Sequence, residues 1–184
     1  MFYDNIIRPF IAEMTANPDK TAARLGQKIV TNSQIAQHVA PIMNELDAMS
    51  VQRVAVLLEP DLNVYAAIIA AMFNGIAVYP IDNAMPQEQR DGLCKALQIT
   101  EVLTAQRMHY YYWMTFEDAL CRIDNGLYDI PNDRELCVIT QTAIGNEPRL
   151  RKLHAGDFKP MKRFSFSDFF KTTLPENPEL CSIF

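Results

Sequence analysis

The sequences RVAVLL, residues 53–58, and FNGIAVYPID, residues 73–82, decide the fold of this chain. Residues 54–58 form a short, β-branched apolar run, which is typical of a strand covered on both faces in a parallel sheet. A helix is predicted over about residues 62–74, and a second strand over residues 76–79. A strand, a helix and a second strand in this order predict a right-handed βαβ unit.

The same alternation continues toward the carboxyl terminus. Gly75 is placed to cap the helix before the second strand, and Pro86 starts a further helix. Residues 101–104 and 136–139 predict two more short strands. The predicted class is therefore α/β, with βαβ units and a mainly parallel sheet flanked by helices.

The residues before this unit predict a hairpin and a capped helix. Residues 21–25 and 28–30 form two short strands after an amphipathic stretch at residues 6–14. Thr31 and Gln34 have the spacing of a capping box, and the apolar spacing that follows predicts a helix. We expect that helix to be interrupted or bent near Pro41.

The last third of the chain is less regular. Residues 110–114 predict a strand, and residues 117–120 predict a short turn of helix. The three tyrosines and Trp113 fit either a stacking platform for a base or packing at a core or edge strand, and the second interpretation is favoured. The phenylalanines of residues 164–170 predict an amphipathic helix that docks onto the sheet or onto a partner.

Composition excludes several classes of function. With 184 residues, 49% of them hydrophobic, the chain has the size and composition of one folded unit. Its net charge of −5 argues against nucleic-acid binding. The basic residues at 149–163 are therefore a local cluster that needs a separate explanation. The longest apolar run is shorter than the ~20 residues that span a bilayer, so we expect no membrane segment.

The chemistry-bearing residues show no catalytic or metal-binding pattern. The four cysteines lack a CxxC pair and a histidine at metal-ligand spacing, which favours free thiols in a reducing cytoplasm and no metal site. His38, His109 and His154 are far apart in sequence, and no nucleophile elbow is present. We therefore assign no catalytic residue and expect no hydrolase activity.

Several motifs together resemble those of a known superfamily. The chain reads PDKTA at residues 18–22, TNSQI at residues 31–35, and FNGIAVYPID at residues 73–82, followed by Pro86 and Arg90. These motifs are similar to those of the N-terminal half of the adenylate-forming superfamily, which includes nonribosomal peptide synthetase adenylation domains and acyl-CoA synthetases. Val78 and Tyr79 exchange the order of the family's Tyr and Val.

The resemblance implies a partial domain and a function. It covers residues 17–154, so we interpret residues 1–184 as one partial N-terminal domain in which residues 155–184 match poorly. The implied function is the N-terminal part of an ATP-dependent ligase that activates a carboxylic or amino acid as its acyl-adenylate. The family's adenine, ribose and C-terminal lysine motifs are missing before Phe184, so we expect this chain alone to be inactive.

The family's phosphate loop resembles residues 140–149. By this resemblance, Thr140, Thr142, Gly145 and Arg149 would contact ATP, with Mg2+ bridging the phosphates. Such a loop offers backbone N–H groups and hydroxyls to phosphates, while a cation neutralises their charge. Glu147 instead adds a negative charge beside the phosphates.

The altered loop leaves a second function open. Ala143 and Ile144 bring no hydroxyl, so the chain is alternatively a non-catalytic binding or assembly module that reuses the fold. Expected partners are the remainder of an adenylation domain, a carrier protein, or a second copy of the chain, because a partial domain exposes apolar faces.

Overall fold

A five-stranded sheet with a separate hairpin organises the chain. The computed structural model describes residues 1–109, 113–126, 129–141, 149–175 and 183–184. The strands in these ranges are β1 (Thr21–Leu25), β2 (Lys28–Thr31), β3 (Arg53–Leu58), β4 (Ala77–Asp82), β5 (Val102–Leu103), β6 (Glu135–Gln141) and β7 (Arg149–His154). Strands β1 and β2 form the hairpin, and the sheet has the order β5-β3-β4-β6-β7.

Helices pack on both faces of this sheet. They are α1 (Arg8–Ala16), α2 (Asn32–Met49), α3 (Leu62–Phe73), α4 (Gln87–Ala96), α5 (Ala105–Met108), α6 (Phe116–Asp124) and α7 (Phe166–Thr173). A π-helical segment, Tyr3–Ile7, leads into α1, and a 3-10 turn, Ala155–Asp157, follows β7. No helix of the described ranges is long and apolar enough to cross a membrane.

The sheet confirms the predicted α/β class. Strands β3 and β4 are parallel and in register from Arg53 opposite Ala77 to Leu58 opposite Asp82. The β3–β5 and β4–β6 pairs are also parallel, and β6–β7 alone is antiparallel. Strand β5 is shorter than predicted, whereas β4 continues beyond residue 79 through Pro80 to Asp82.

The capping box is confirmed, but α2 is not interrupted. The Oγ1 of Thr31 accepts a hydrogen bond from the Gln34 N–H, and Gln34 Oε1 accepts one from the Thr31 N–H. The helix then runs without a break from Asn32 to Met49 with Pro41 inside it. A proline in a helix interior costs about 3 kcal/mol. Burial of the neighbouring Ile42 and Met43 offsets this cost.

Helix α3 ends in a Schellman motif. The N–H of Ile76 donates to the Ala71 carbonyl, and the N–H of Gly75 donates to the Met72 carbonyl. Gly75 has a φ of 66°, in the left-handed region that glycine adopts without strain. The buried Asn74 donates to the Met43 carbonyl at 2.7 Å, which ties the end of α3 to α2.

The sheet separates two apolar cores of unequal size. Val54, Val56 and Val78 face the larger core, which also contains buried residues of α1, α2, α3, α6 and α7. Ala55 and Tyr79 face the smaller core, which is covered by Cys94 of α4 and by Leu97 directly after this helix. Side chains alternate between the faces of a strand, so neighbouring residues of β3 and β4 serve different cores.

The predicted C-terminal amphipathic helix docks onto the sheet. Phe169 and Phe170 of α7 are buried in the larger core, and the Cys137 thiol of β6 donates to the Thr173 carbonyl at 3.4 Å. The Phe10 and Phe164 rings meet edge to face at 5.0 Å, so the segment also contacts α1.

The aromatic segment before α6 departs from its prediction. Tyr110, Tyr111 and Tyr112 lie outside the described residues. Trp113 and Met114 are not part of a strand, and Trp113 is 70% exposed, so the strand prediction is wrong for these two residues. The predicted helical turn after them is confirmed, and α6 begins at Phe116 with the Thr115 side chain as its cap.

One buried carboxylate joins helix α1 to the segment that precedes α7. Glu13 of α1 is 5% exposed, and its carboxylate accepts two hydrogen bonds from the Arg163 guanidinium and one from the Lys20 ammonium. The hydrogen bonds from Arg163, more than any other contact, lower the pKa of Glu13 from 4.5 to about 2, against the opposing effect of burial.

Replacing Gly75 should destabilise the fold through its backbone. A Gly75→Ala substitution forces an L-residue into the left-handed region, so we expect the free energy of unfolding to fall by about 1 kcal/mol. Gly92 is the matched control, because it lies in α4 with open space around its Cα. A Gly92→Ala substitution should stabilise by about 0.5 kcal/mol in urea denaturation. Equal effects of both substitutions would contradict the Schellman assignment.

Replacing Glu13 should change how stability depends on pH. The Glu13 pKa is lower in the folded state, so its contribution is present above pH 4.5 and is lost as the pH falls toward 2. We expect Glu13→Gln to lower the free energy of unfolding at pH 7 and to flatten its decline over this window. The control is Asp4→Asn, which removes only an exposed pair with Arg8. An unchanged pH profile in Glu13→Gln would rule out this role.

Candidate functional site

The carboxyl ends of β3, β4 and β6 meet at one edge of the sheet. In open α/β sheets, ligands bind in the crevice outside the carboxyl ends of the strands. Thr140 lies next to the end of β6, and Arg149 is the first residue of β7. The predicted phosphate loop thus connects two neighbouring strands at the edge where a ligand is expected.

The structure places two of the four predicted contact residues. In the β6–β7 ladder, Thr140 stands opposite Leu150 and Gln141 stands opposite Arg149, so both ends of the loop come together. Thr140 and Arg149 occupy adjacent ladder positions, so their side chains project from opposite faces. Thr142 and Gly145 lie outside the described residues, and their role as phosphate contacts stays a prediction.

Thr140 has a partner that the sequence interpretation missed. Its Oγ1 lies 3.0 Å from the Oη of Tyr79, within hydrogen-bonding distance, on the face covered by α4. Tyr79 is fully buried, and burial raises its pKa, opposed by the hydrogen bond with Thr140. The phenol therefore stays protonated, and the Thr140 hydroxyl is already engaged within the protein.

The exchanged Val78-Tyr79 pair explains this contact. Val78 faces the larger core, whereas Tyr79 faces the smaller one. On that face the Tyr79 side chain reaches the neighbouring strand β6. With the order usual in the family, the aromatic ring would stand at position 78 and face the larger core instead. The exchange was visible in the sequence, but its partner 61 residues away was not.

Four of the six basic residues at 149–163 fall into two groups. Lys152 lies 2.9 Å from Glu135, and Arg163 is bound to Glu13, so both are neutralised. Arg149 and Arg151 have no ion-pair partner among the described residues, and both are exposed on the same face of β7. Arg149 and Arg151 therefore place uncompensated positive charge on the β7 side of the predicted phosphate loop.

Other polar residues of the described ranges form no recognisable reactive centre. No group of three or more His, Cys, Asp or Glu side chains there could hold a metal ion. Cys94, Cys121 and Cys137 are free thiols, and burial raises the pKa of Cys94 and Cys137. The two buried thiols are therefore poor nucleophiles.

Comparison with known sequences finds a distant relative. Tyrocidine synthase 3 from Brevibacillus parabrevis is 26% identical over 168 residues, which cover 83% of this chain but 3% of that protein. No protein-family model matches the chain.

Solved structures share the fold over most of the chain. The adenylation domain AlmE of Vibrio cholerae, in complex with glycyl-adenosine-5'-phosphate, superposes with a TM-score of 0.65 at 16% identity, over 80% of this chain and 35% of that one. The fatty acyl-adenylate ligase from L. pneumophila, in complex with acyl adenylate and pyrophosphate, gives 0.62 at 17% identity, over 83% and 30% of the two chains. This chain thus spans about a third of each protein.

The Tyr79–Thr140 contact can be tested against a second buried tyrosine. We expect Tyr79→Phe to lower the free energy of unfolding by about 1 kcal/mol, the net value of a typical hydrogen bond. The matched control is Tyr65→Phe. Tyr65 is 1% exposed, its hydroxyl has no hydrogen-bond partner within the described ranges, and burial raises its pKa to about 12. Losing that hydroxyl should be neutral or stabilising in thermal unfolding; the reverse order would contradict the assigned contact.

The architecture and the comparisons lead to one assignment. The parallel β3–β4–β6 core and the β6–β7 hairpin carry the motifs that resemble those of adenylate-forming enzymes. The solved structures match over 80% of the chain or more. The chain therefore has the fold of the N-terminal portion of the adenylate-forming superfamily, to which nonribosomal peptide synthetase adenylation domains and acyl-adenylate ligases belong.

Proposed function

We propose that the chain is the N-terminal part of an ATP-dependent ligase that activates a carboxylic or amino acid as its acyl-adenylate. The observation that carries this proposal is that Gln141 and Arg149, which flank the predicted phosphate loop, stand opposite each other at the carboxyl edge of the parallel sheet. That edge is where open α/β folds bind phosphate-bearing ligands. The matched AlmE structure is a complex with glycyl-adenosine-5'-phosphate, and the L. pneumophila structure is a complex with acyl adenylate and pyrophosphate, which agrees with this reaction class.

The residues at this edge fit the phosphates of ATP in part. Arg149 is exposed and unpaired within the described ranges, so its guanidinium is available to neutralise phosphate charge. Thr142 and Gly145 would add a hydroxyl and a close backbone approach, and Mg2+ would bridge the phosphates. Thr140 fits less well, because its hydroxyl already lies within hydrogen-bonding distance of Tyr79. Its contribution would then be to hold the end of β6 in place.

The remaining chemistry would come from outside this chain. Because the chain spans about a third of the matched ligases, we infer that adenine, ribose and the acid are bound mainly by the remainder of the domain. That remainder and a carrier protein are the proposed partners, and the proposed location is the cytoplasm.

A non-catalytic assembly module is the second candidate. It is favoured by the engaged Thr140 hydroxyl. In this case the chain would keep the fold without binding nucleotide, and self-association would supply its partner. Light scattering that gives a clean monomer would count against self-association.

ATP binding separates the two candidates. We expect Mg2+ and ATP to raise the melting temperature, because a ligand at a hundredfold its Kd stabilises by about 2.7 kcal/mol. Thr142→Val should reduce this shift, whereas Thr100→Val, a substitution of an exposed threonine outside the loop, should not. No shift at millimolar ATP would reject the ligase proposal for this loop and support the assembly module.

The same preparation can be assayed for acid-dependent pyrophosphate exchange. We expect none from this chain alone, even where ATP binds, because the proposed acid and ribose contacts belong to the remainder. Measurable exchange would show that residues 1–184 complete an active site. It would overturn the proposal that the remainder of the domain binds the acid and the ribose.

A further inference from the structure

A cleft of about 320 Å³ lies between the β6–β7 hairpin and α7. Arg151 of β7 lines one side of it, and Lys171 and Thr172 of α7 line the other. Its volume is at the lower end of the range of small-molecule sites, which is about 300–1,000 Å³. The cleft is therefore large enough for a compact ligand.

The fold holds the two cations at this cleft through buried contacts. Arg151 stands opposite Ile139 in the ladder, on the sheet face that packs against α7. The Cys137 thiol donates to the Thr173 carbonyl, and Phe170 is 2% exposed. Helix α7 is therefore anchored to the sheet by residues next to Lys171 in sequence. The backbone positions of Arg151 and Lys171 thus follow from packing of the larger core, while their side chains are exposed.

The described residues do not balance the charge of this cleft. None of its described lining residues is a carboxylate, and Arg151 has no ion-pair partner in the described part of the chain. Within the same ranges Lys171 pairs with Asp168 at 4.0 Å, and both side chains are more than 60% exposed, so this pair contributes little. Positive charge therefore accumulates locally in a chain whose net charge is −5.

A larger cleft at the opposite edge of the sheet lacks this property. It measures about 680 Å³, and it is lined by Arg53, Arg134 and Glu135 among others. Arg53 lies 3.0 Å from Glu135 and also donates to the Leu97 carbonyl, while Arg134 donates to the Gly75 carbonyl. Its cations are already engaged, so the smaller cleft is the better anion site.

We propose that the cleft between β7 and α7 binds a phosphate-bearing anion, with Arg151 as its main ligand and Lys171 as the second. A guanidinium presents paired donors that match two oxygens of a phosphate, and an ammonium adds a point charge. Arg151 and Lys171 lie outside the predicted phosphate loop, although Thr140 and Gln141 at the start of that loop also line the cleft. Variants of Arg151 and Lys171 therefore test this cleft separately from ATP binding by the loop.

The test is a titration of the full chain with inorganic pyrophosphate at low ionic strength, followed by calorimetry or amide chemical shifts. We expect Arg151→Gln to weaken binding about tenfold, which is the loss expected for one charge-assisted contact. Lys171→Gln should weaken it severalfold, and the double variant should weaken it further. Both residues are exposed, so the melting temperatures should match the parent chain.

Three controls decide the outcome. Lys28→Gln removes an exposed cation from β2, and it should leave pyrophosphate binding unchanged. An equal loss in Lys28→Gln and Arg151→Gln, or no loss in Arg151→Gln, would overturn the proposal. Sensitivity to Thr142→Val with insensitivity to Arg151→Gln would also overturn it, while supporting the phosphate loop. A titration with ATP in the absence of metal identifies which phosphate-bearing ligand the cleft binds. If Arg151→Gln weakens the binding of both ATP and pyrophosphate, the ligand is the phosphate chain of a nucleotide. If it weakens the binding of pyrophosphate alone, the ligand is a free anion.

Discussion

Burial of α3 on all sides is the constraint on which the rest of this structure depends. Apart from Asn63, every residue of the helix is buried, between the sheet on one side and α2 on the other. A helix of this kind requires both neighbours, because each apolar face must be removed from water. The Schellman turn at Gly75 then directs the chain into β4, so the position of α3 determines where the parallel core begins.

The parts of the fold that were predictable are those with local signals. The apolar run of β3, the capping box of α2 and the glycine after α3 each lie within a few residues of their effect, and all three are confirmed. The uninterrupted helix at Pro41 was not predictable, because burial against α3 outweighs a local penalty. The strand prediction failed at Trp113 and Met114 for a related reason, since aromatic content alone does not show whether a segment joins a sheet.

The candidate site was predictable only in its position. The order of strands and a threonine- and glycine-bearing connection were enough to locate it at the carboxyl edge of the sheet. Two contacts at this edge could not be inferred from the sequence, because they join residues that are distant along the chain. They are the hydrogen-bonding contact between Tyr79 and Thr140 and the approach of Arg151 to α7. Together they separate two positions at this edge: the Thr140 hydroxyl contacts Tyr79 on one face of the sheet, and Arg149 and Arg151 lie exposed on the other.

The bond between Glu13 and Arg163 has a consequence for how the chain folds during synthesis. The two residues are 150 positions apart, so α1 emerges from the ribosome long before its partner exists. Until then the carboxylate has no guanidinium beside it, and the Phe10 ring lacks its contact with Phe164. Contacts between distant parts of a chain form late, because closing a long loop costs entropy first. The contacts of α1 with Arg163 and Phe164 can therefore form only after most of the chain has been synthesised.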